Sequence, residues 1–548
     1  MRRATAVLIC LLALASCPRP PATPATPATP ARPRLVVLIV IDQLPTWAFE
    51  RDRALFKGGL ARLLRDGGYV RAAELPYANT FTAPGHATIS TGTTPSVHGV
   101  IGNQWFRRDV GKDLSAEHDS ASPVLSVGEP VEDAQRTDTA SAQALRVEGL
   151  AEALRRATNG KGHSLAIGLK SRAAVFLAGQ HPDLAVFYDA GAGGMTTSTA
   201  YAKTAPPWLV AHAHDHPVKG FIGQSWQPLD PALLARHTGL PDNAPGEGDI
   251  HGLGVSFPHV IRDAEALVQT PLGDDLVLDT AMAALTPMQL GTDDVPDLLA
   301  LSLNAHDYCG HNWGPDSWEI LDLTLRLDAA LGKLFAELDV KYGKSGWAVV
   351  LTSDHGATPV VERSPHPGAR RIPSREIIEA IDNTSIDALP GTESRVARVS
   401  SNQVYLSERM LQLPPQRKGP ALDAARERVS KIAGVEGVFR TDLVAGDCAR
   451  LQGLAQLVCN AVMPGVSGEL YVAPVRGSLL TDYTAGTHHD APNDDNRLVP
   501  ILVMAPGMKP QQQARGSLLQ VAPTVAALLG IAPPAQATAP PLFGLKPR

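Results

Sequence analysis

The chain contains five short runs of hydrophobic residues that predict β-strands, at 35–41, 164–169, 298–303, 347–352 and 501–504. The first run is apolar at every position, which is typical of a strand that is buried on both faces of a sheet. Between two of these runs, apolar residues recur every three or four positions and predict a helix with one apolar face. Those residues are Ile320, Leu323, Leu327, Leu331, Leu334 and Leu338.

Strands that alternate with helices favour right-handed crossovers, and therefore a mostly parallel sheet of the α/β class. Residues 396–480 break this alternation with a predicted helix at 421–432 and predicted strands at 435–439 and 470–475. We interpret this segment as a small inserted α+β cap between two parts of one α/β core, residues 34–395 and 481–548. A last helix is predicted at 518–529, and it ends at Gly530.

The first 17 residues have the pattern of an export signal. Arg2 and Arg3 precede an apolar run at 6–14 that is too short to span a bilayer, and Leu-Ala-Ser-Cys follows at 14–17. This tetrad resembles a bacterial lipobox ending at Cys17, although an ordinary signal peptide with a chance cysteine has the same pattern. Residues 18–33 repeat Pro, Ala and Thr and predict an extended linker. We expect an exported protein: a lipoprotein of the periplasm or outer membrane, or a secreted protein.

Composition narrows the possible partners. The formal net charge is −6 over 548 residues and aromatic residues make up 5%, so the chain lacks the basic surface typical of nucleic-acid binding. We expect a monomer that binds no nucleic acid duplex and contacts a membrane only through the N-terminal lipid. In an exported protein, Cys448 and Cys459 either form a disulfide or stay separate thiols. Cys309 is either a metal ligand or a buried thiol.

Aspartate and histidine side chains follow three of the predicted strands. Because the carboxyl ends of parallel strands meet at one edge of the sheet, we expect these side chains to form one site. Taken alone, each is more often a helix cap or a loop hydrogen-bond partner, but as a set they suit a borderline divalent metal. Two zinc ions about 4 Å apart can share six such groups and one hydroxyl. The six groups are Asp42, Asp307, His311, Asp354, His355 and His489.

A hydroxyl nucleophile is available in the turn at 79–86, whose sequence is Asn-Thr-Phe-Thr-Ala-Pro-Gly-His. A threonine hydroxyl is a poor nucleophile unless a metal ion lowers its pKa, so the neighbouring metal ligands favour Thr82 for this role. A helix that starts near Pro84 would aim backbone N–H groups at an anion. The alternative is that Thr82 only caps this helix.

These motifs, in this order, resemble the alkaline-phosphatase superfamily, and the resemblance runs from about residue 35 to residue 531. It implies a three-layer sandwich around a mostly parallel sheet. The motifs are Asp42 after an apolar strand, Thr-Ala-Pro-Gly-His at 82–86, Ser-Thr-Gly at 90–92, His-Gly at 98–99, Asp-Tyr-Cys-Gly-His at 307–311, Thr-Ser-Asp-His-Gly at 352–356, Gly-Thr-His-His at 486–489, and Val-Ala-Pro-Thr at 521–524 with Leu-Leu-Gly at 528–530.

The resemblance also implies roles for single residues. One zinc would be held by Asp307, His311 and His489, and the other by Asp42, Asp354, His355 and Thr82. Thr82 would become a phosphothreonine intermediate. His488 competes with its neighbour for the last ligand position, and the Gly-Thr-x-His spacing favours His489. Asp490 departs from the family, which often has glycine at that position.

Three branches of the superfamily differ in the residues that they require. Sulfatases need a Cys or Ser before x-Pro-x-Arg, and residues 82–86 lack both the precursor residue and the arginine. Phosphodiesterases of the nucleotide pyrophosphatase type share the threonine and both zinc sites. Lys170 and Arg172 resemble instead the phosphate clamp of threonine-dependent bacterial alkaline phosphatases, and Asn103 matches the amide that hydrogen-bonds a phosphoryl oxygen. Alone, a Lys-x-Arg pair is usually a solvated surface pair.

The clamp favours phosphate monoesters as substrates, because two cations stabilise a doubly charged phosphoryl group more than a diester. Such enzymes use fixed cations in place of a third metal, so we expect two zinc ions and no catalytic Mg²⁺. The alternatives are a phosphodiesterase and, outside catalysis, an anchored protein that binds phosphate compounds. The latter would have lost a ligand or the nucleophile, and the sequence retains them all.

Overall fold

A nine-stranded mixed sheet forms the centre of the protein. The computed structural model describes residues 32–132, 134–249, 251–383 and 393–546. The export signal, Cys17 and nearly all of the linker at 18–33 therefore lie outside the described residues. In spatial order the strands are Gln511–Ser517, Gly68–Glu74, Leu498–Met504, Trp347–Thr352, Leu35–Ile41, Asp297–Leu303, Ser164–Gly168, Leu184–Asp189 and Gly194–Thr196.

The prediction of a mostly parallel α/β sheet is confirmed. Only Leu498–Met504 and Gly194–Thr196 run against the other strands of this sheet. The strand predicted at 501–504 is therefore present, and it is antiparallel to the Trp347–Thr352 strand beside it. Leu35–Ile41 lies at the centre of the sheet, between Asp297–Leu303 and Trp347–Thr352, as its uniform hydrophobicity predicts.

The central strand serves two hydrophobic cores, because successive side chains of a strand point to opposite faces. Leu35, Val37 and Ile39 pack into the core on one face, and Val36 and Leu38 pack into the core on the other. Full burial of side chains of this size stabilises the fold by about 1.5–3 kcal/mol each. Both faces of the sheet must therefore be covered, and helices cover them.

Helices form the outer two layers. Those on the first face are Thr46–Asp52, Gly59–Asp66, Pro207–Asp215, Ala264–Leu267, Pro271–Ala284, Ala305–Trp313 and Trp318–Tyr342. Those on the second face are Thr82–Thr91, Leu150–Thr158, Ser171–Ala178, Gly453–Ala461 and Val521–Leu529. Shorter or peripheral helices are Pro95–His98, Pro231–Thr238, Glu408–Leu411, Thr441–Val444 and Asp494–Arg497.

The helix predicted from the apolar stripe at 320–338 is confirmed as Trp318–Tyr342, and Ser317 caps it by accepting a hydrogen bond from the backbone N–H of Ile320. The last helix begins at Val521, three residues later than predicted, because residues 518–520 form a 3₁₀ turn. It ends at Gly530, whose φ of 69° is left-handed, as a glycine cap allows.

A second, four-stranded antiparallel sheet lies within residues 396–480. Its strands, in spatial order, are Val396–Ser400, Gln403–Leu406, Leu470–Pro474 and Val435–Arg440. Helix Pro415–Val429 packs on this sheet, and so does Ser374–Asp382, which precedes residue 396. The helix predicted at 421–432 thus starts earlier and ends earlier than expected. The boundaries of the cap stay a prediction.

Helix Gly453–Ala461 joins the cap to the core. Of the two alternatives left open for Cys448 and Cys459, the structure has the disulfide, which ties this helix to the turn before it. The helix end holds the segment before Thr82, since the Asn79 side chain donates to the carbonyl oxygen of Ala461 at 2.8 Å. Cys309 is a buried free thiol. Among the helices of the described residues, none has the length and hydropathy that crossing a bilayer requires.

Three short strand pairs complete the part of the chain that the structure describes. They are Gln104–Arg107 with Lys112–Ser115, Ser225–Trp226 with His259–Val260, and Arg371–Ile372 with Leu479–Leu480. The first pair is a hairpin that lies between Asn103 and Glu117. The base of the hairpin is closed by the N–H of Ala116, the residue before Glu117, which donates to the backbone oxygen of Asn103 at 2.9 Å.

Candidate active site

Four strand ends deliver polar side chains to one edge of the central sheet. Asp42 follows Leu35–Ile41, and Lys170 follows Ser164–Gly168. Asp307 follows Asp297–Leu303 on the first turn of helix Ala305–Trp313, and Asp354 follows Trp347–Thr352. All four side chains are buried. The predicted convergence at the carboxyl ends of the parallel strands is therefore present.

Thr82 is the first residue of helix Thr82–Thr91 and is buried. Phe81, and not Thr82, occupies the capping position, in an extended conformation and without a side-chain cap hydrogen bond. The structure therefore gives no support to a capping role for this hydroxyl. The competing hydroxyl of Thr80 donates to the backbone oxygen of His489, so it has another partner.

Asp307, His311 and His489 form one candidate metal site. Asp307 and His311 are one helical turn apart, and the Nε2 of His311 lies 3.4 Å from the Oδ1 of Asp307. The Nε2 of His489 lies 3.5 Å from the same oxygen. The other ring nitrogen of each histidine faces a backbone oxygen, of Thr487 and Thr80 respectively, and this fixes both Nε2 atoms toward the site.

The second candidate group lies beside the first. The Nε2 of His355 is 3.4 Å from the Oδ1 of Asp42 and 3.3 Å from the Oδ2 of Asp354. Ligand atoms of Asp42, Asp307 and His355 all lie within 4.8 Å of one another, so Asp307 is common to both groups. The rings of His355 and His489 stack with centroids 3.8 Å apart, which brings the two groups into contact.

The residues of the second group have the chemistry that a metal ion requires. The Oδ2 of Asp42 accepts hydrogen bonds from Lys170 and Asn304, at 2.9 and 2.7 Å. Its Oδ1, the Oδ2 of Asp354 and the Nε2 of His355 are buried without a hydrogen-bond partner among the described residues. Buried polar atoms rarely stay unpaired, and a divalent cation would satisfy all three.

The pKa values of three buried carboxyl groups in the cluster depend on the charges around them. Burial, together with Asp307 and Asp354, raises the pKa of Asp42 to about 7. Burial also acts to raise the pKa of Asp354, but the neighbouring His355 and His86 outweigh it and hold that pKa at about 2. The pKa of Asp307 is likewise held well below its usual range, because His311 and Lys170 outweigh burial. Carboxylates this close together stay charged only where cations surround them.

Lys170 places its ammonium group in the middle of this cluster. Its Nζ donates to Asp42 and Asp307 and lies 3.5 Å from the Oγ1 of Thr82. Burial alone would lower the pKa of this lysine, but the carboxylates of Asp307 and Asp42 outweigh burial and raise it. The ring of Tyr308 lies 4.8 Å from the Nζ atom and covers the ammonium on another side.

Residues 36–409 match the family of type I phosphodiesterases and nucleotide pyrophosphatases. The chain belongs to this family of the alkaline phosphatase superfamily. The resemblance to the alkaline phosphatase superfamily that the sequence motifs indicated is therefore confirmed.

Two curated relatives of this family align along nearly the whole chain. The alkaline phosphatase PafA of Elizabethkingia meningoseptica is 30% identical over 522 residues, which cover 93% of each chain. The alkaline phosphatase PhoV of Synechococcus elongatus is 30% identical over 515 residues, which cover 91% of this chain and 90% of that protein.

The fold of PafA is also similar. Its wild-type crystal structure has a TM-score of 0.83 at 28% identity and covers 94% of this chain and 99% of its own. A crystal structure of a PafA variant with four substituted residues has the same TM-score at 27% identity. The substituted residues in that variant are a threonine, an asparagine, a lysine and an arginine.

The other two predicted substrate-binding residues of this alkaline phosphatase superfamily member are Asn103 and Arg172. The Oδ1 of Asn103 accepts a hydrogen bond from the N–H of Ala83 at 2.8 Å, at the start of the helix that begins with Thr82. Arg172 lies on the first turn of helix Ser171–Ala178, and its side chain lines a cavity of about 190 Å³ together with Lys170. Asn103 therefore lies at the start of the Thr82 helix, and Arg172 lies beside Lys170, which itself contacts Thr82.

Sequence reasoning missed three buried residues that organise this site. Asn304 donates to Asp42 and accepts from the N–H groups of Leu169 and Lys170, at 2.8 and 3.2 Å. The Nδ1 of His86 is hydrogen-bonded to the backbone oxygen of Thr82 at 2.9 Å, and it lies 3.2 Å from the Oδ2 of Asp354 without a hydrogen bond to that oxygen. Gln43 is the third. Asn304 and Gln43 lie within three positions of candidate ligands, but neither has a spacing that indicates a role.

Gln43 connects the two candidate metal groups. Its Nε2 donates to the Oδ1 of Asp307 at 2.7 Å, and its backbone N–H donates to the Oδ1 of Asp354 at 3.2 Å. Its φ of 64° is left-handed, which is uncommon for a residue other than glycine and costs about 1 kcal/mol. Gly310 leaves room for the amide, because a Cβ there would lie 1.9 Å from the Oε1 of Gln43.

Proposed function

We propose that the chain is an alkaline phosphatase that hydrolyses small phosphate monoesters through a phosphothreonine at Thr82. The observation that carries the proposal is the position of Lys170, whose ammonium lies beside the Thr82 hydroxyl and between two carboxylates of the metal-ligand cluster. A cation at this position can contact the non-bridging oxygens of a phosphoryl group that Thr82 attacks. Transfer of that group depends mainly on positioning and on neutralisation of charge.

Two zinc ions are the cofactors we propose, without catalytic Mg²⁺. Asp307, His311 and His489 would hold one, and the other would be held by Asp42, Asp354, His355 and Thr82. When bound, zinc would lower the pKa of a coordinated hydroxyl and stabilise charge on oxygen atoms. The unpartnered buried oxygens of Asp42 and Asp354 support this assignment.

The substituted residues of the PafA variant support the proposed roles of this chain's own residues. The substituted threonine and asparagine are as far apart in that chain as Thr82 and Asn103 are here. The substituted lysine and arginine are as far apart as Lys170 and Arg172. We propose that Thr82 is the nucleophile and that Asn103, Lys170 and Arg172 bind the phosphoryl oxygens.

The preference for monoesters follows from charge. A monoester carries two negative charges on the transferred group, and a diester carries one. Each charge-assisted hydrogen bond from Lys170 or Arg172 is worth about 1.5–3 kcal/mol, so the second charge favours the monoester. A phosphodiesterase is the second candidate, because the family that matches residues 36–409 includes phosphodiesterases.

A side-by-side measurement of kcat/KM on an aryl phosphate and a bis-aryl phosphate tests the proposal. We expect the monoester to be hydrolysed faster. A faster diester reaction would make the chain a phosphodiesterase, and binding of phosphate without hydrolysis of either ester would make it a binding protein.

We further propose that the chain is an exported monomer, anchored through Cys17 or secreted. The disulfide between Cys448 and Cys459 supports an oxidising compartment. Cell fractionation of the full chain and of its Cys17→Ser variant tests the anchor. Movement of the variant from the membrane fraction to the soluble fraction is expected, and an unchanged distribution would rule out lipidation at this position. Sedimentation of the purified protein tests the monomer.

A further inference from the structure

A buried carboxylate lies next to the proposed clamp and belongs to neither candidate metal group. Glu117 lies just past the second strand of the Gln104–Ser115 hairpin and is 4% exposed. Its Oε1 accepts a hydrogen bond from the hydroxyl of Ser171, the residue between Lys170 and Arg172, at 3.0 Å. Its Oε2 is buried and has no hydrogen-bond partner among the described residues.

Glu117 and Arg172 line the same cavity, of about 190 Å³. The Nε of Arg172 is buried there and also has no partner in the described ranges. Burial would lower the pKa of this guanidinium, but the charge of Glu117 is the strongest of the effects that raise it, ahead of Tyr308 and Asp307. Lys170, by contrast, is balanced by Asp42 and Asp307. The two clamp cations therefore have different counter-charges.

We propose that Glu117 is a positioning residue that holds the Arg172 guanidinium at the phosphoryl site and thereby sets the preference for monoesters over diesters. This inference rests on the proposed function. A buried guanidinium loses its hydration, and only a nearby anion compensates for that loss. Without such an anion, the Arg172 side chain would turn toward solvent. A carboxylate that bonds to the preceding serine keeps the arginine over the cavity.

The hairpin also connects Glu117 to the helix that carries the proposed nucleophile. Asn103 directly precedes the first strand of the hairpin and accepts a hydrogen bond from the N–H of Ala83, the residue after the proposed nucleophile. Glu117 stands at its other end and bonds to Ser171, at the start of the helix that carries Arg172. Because Asn103 and Ala116 are hydrogen-bonded, one hairpin base joins the nucleophile helix to the clamp helix. A displacement of about 1 Å at such a point can cost ~100-fold in rate.

A purely structural role is the competing explanation, because Glu117 also lies near the N-terminus of helix Ser171–Ala178, where a negative charge stabilises a helix. The two roles differ in which substrate they affect. Loss of helix stability would change both ester reactions equally, whereas loss of the arginine position affects the monoester alone.

The test is kcat/KM for an aryl phosphate and a bis-aryl phosphate in Glu117→Gln, Arg172→Ala and the double variant of the full chain. The Gln side chain keeps the shape and the Ser171 bond but removes the charge. We expect Glu117→Gln to lower the monoester value about tenfold or more and the diester value less than about twofold. In the Arg172→Ala background, Glu117→Gln should have almost no further effect.

The matched control is Asp119→Asn, two residues along the same segment. Asp119 accepts hydrogen bonds from Ser122 and Ser141, away from the clamp. This variant should lower the midpoint of thermal unfolding and leave the ratio of the two kcat/KM values unchanged. If Glu117→Gln does not fold, Glu117→Asp replaces it, and the shortened carboxylate should give a smaller loss confined to the monoester.

Two results would overturn the inference. One is an equal loss of kcat/KM on both esters in Glu117→Gln, and the other is a loss from Glu117→Gln that is as large in the Arg172→Ala background as in the wild type. Failure of the proposed function has a different signature, which is a wild-type chain that prefers the diester. In that case the inhibition constant of inorganic phosphate against the diester reaction provides the readout. It should rise in Glu117→Gln only when Arg172 is present, and a rise independent of Arg172 would again overturn the inference.

Discussion

Asn304 donates its side-chain amide to the Oδ2 of Asp42 at 2.7 Å, and the oxygen of the same amide accepts the backbone N–H groups of Leu169 and Lys170. One buried side chain therefore fixes a candidate metal ligand and the start of the proposed phosphate clamp. It also leaves the Oδ1 of Asp42 without a donor, facing His355.

We expect Asn304→Asp to damage both functions of this amide. The substitution keeps the shape but replaces a donor to Asp42 by a second negative charge. Residues behind a metal ligand typically contribute about 10–100-fold in metal affinity or activity. Zinc affinity measured by chelator competition and monoester kcat/KM should both fall in this range. Asp297→Asn is the control, since Asp297 is a buried carboxylate at the opposite end of the same strand and accepts hydrogen bonds from the N–H groups of His163 and Gly291, away from Asp42 and Lys170. Zinc affinity unchanged in Asn304→Asp would contradict the positioning role.

Purified protein should contain two zinc ions per chain by elemental analysis. Removal of zinc with a chelator should abolish hydrolysis and lower the midpoint of thermal unfolding, because a ligand that binds only the folded state stabilises it. Zinc, and not Mg²⁺ alone, should restore both. A fully active protein with one metal ion or none, never exposed to chelator, would exclude the two-zinc site.

Thr82 should be phosphorylated during turnover. Acid-quenched protein, digested and analysed by mass spectrometry, should have phosphate on Thr82 and none on Thr80, whose hydroxyl donates to the backbone of His489. Thr82→Ala should lower monoester kcat/KM by more than about a thousandfold, as loss of a nucleophile does in other hydrolases. Phosphate on Thr80, or an active Thr82→Ala variant, would show that the nucleophile is misassigned.

The sequence predicted the parts of this site that depend on strand ends and spacing. Asp42 and Asp354 follow hydrophobic strands, and the spacing of Asp307 and His311 matches one helical turn, so their convergence was predictable from local pattern. Asn304 and Glu117 were not, because their partners lie more than 50 residues away in sequence and follow only from how the strands and the hairpin are arranged.

The same limit applies to the fold. The central strand at 35–41 was predicted with its true bounds because hydrophobicity alone defines it. The direction of Leu498–Met504 was not, because a buried antiparallel strand has the same apolar pattern as a parallel one. The start of helix Pro415–Val429 was missed because its first turns are polar and contain Pro420.

Glu247 should make the fold less stable at alkaline pH. Its side chain is 1% exposed and lies 3.6 Å from Arg363, and burial, with the charge of Glu319, raises its pKa to about 8. A carboxyl with a raised pKa binds a proton more tightly in the folded state than in the unfolded state, where the pKa is about 4.3. The free energy of unfolding should therefore fall as pH rises from about 4.3 through 8, by at most ~1.4 kcal/mol per unit.

Glu247→Gln mimics the protonated form, so it should be close to wild type in stability at pH 5 and more stable than wild type at pH 9. Urea unfolding at the two pH values measures the difference. Glu129→Gln, at a side chain that is 87% exposed, is the control and should change neither value. A Gln variant less stable than wild type at pH 9 would mean that Glu247 stays charged and paired with Arg363.

Removal of both clamp cations should separate a monoesterase from a phosphodiesterase. In the Lys170→Ala/Arg172→Ala variant, the phosphoryl group loses two charge-assisted contacts worth about 1.5–3 kcal/mol each. Monoester kcat/KM should fall by roughly two to four orders of magnitude, since about 1.4 kcal/mol corresponds to tenfold. Diester kcat/KM should fall much less, because one of its oxygens carries a substituent in place of charge.

Zinc content and the unfolding midpoint provide the controls for this variant, since neither residue is a proposed ligand. Lys170 does pair with Asp42 and Asp307, so a small change in zinc affinity is expected and must be measured alongside. Equal losses on both esters at full zinc content would make the pair a general binding element. Unchanged rates on both would make the phosphodiesterase the better assignment, because the clamp is the feature that separates the two activities.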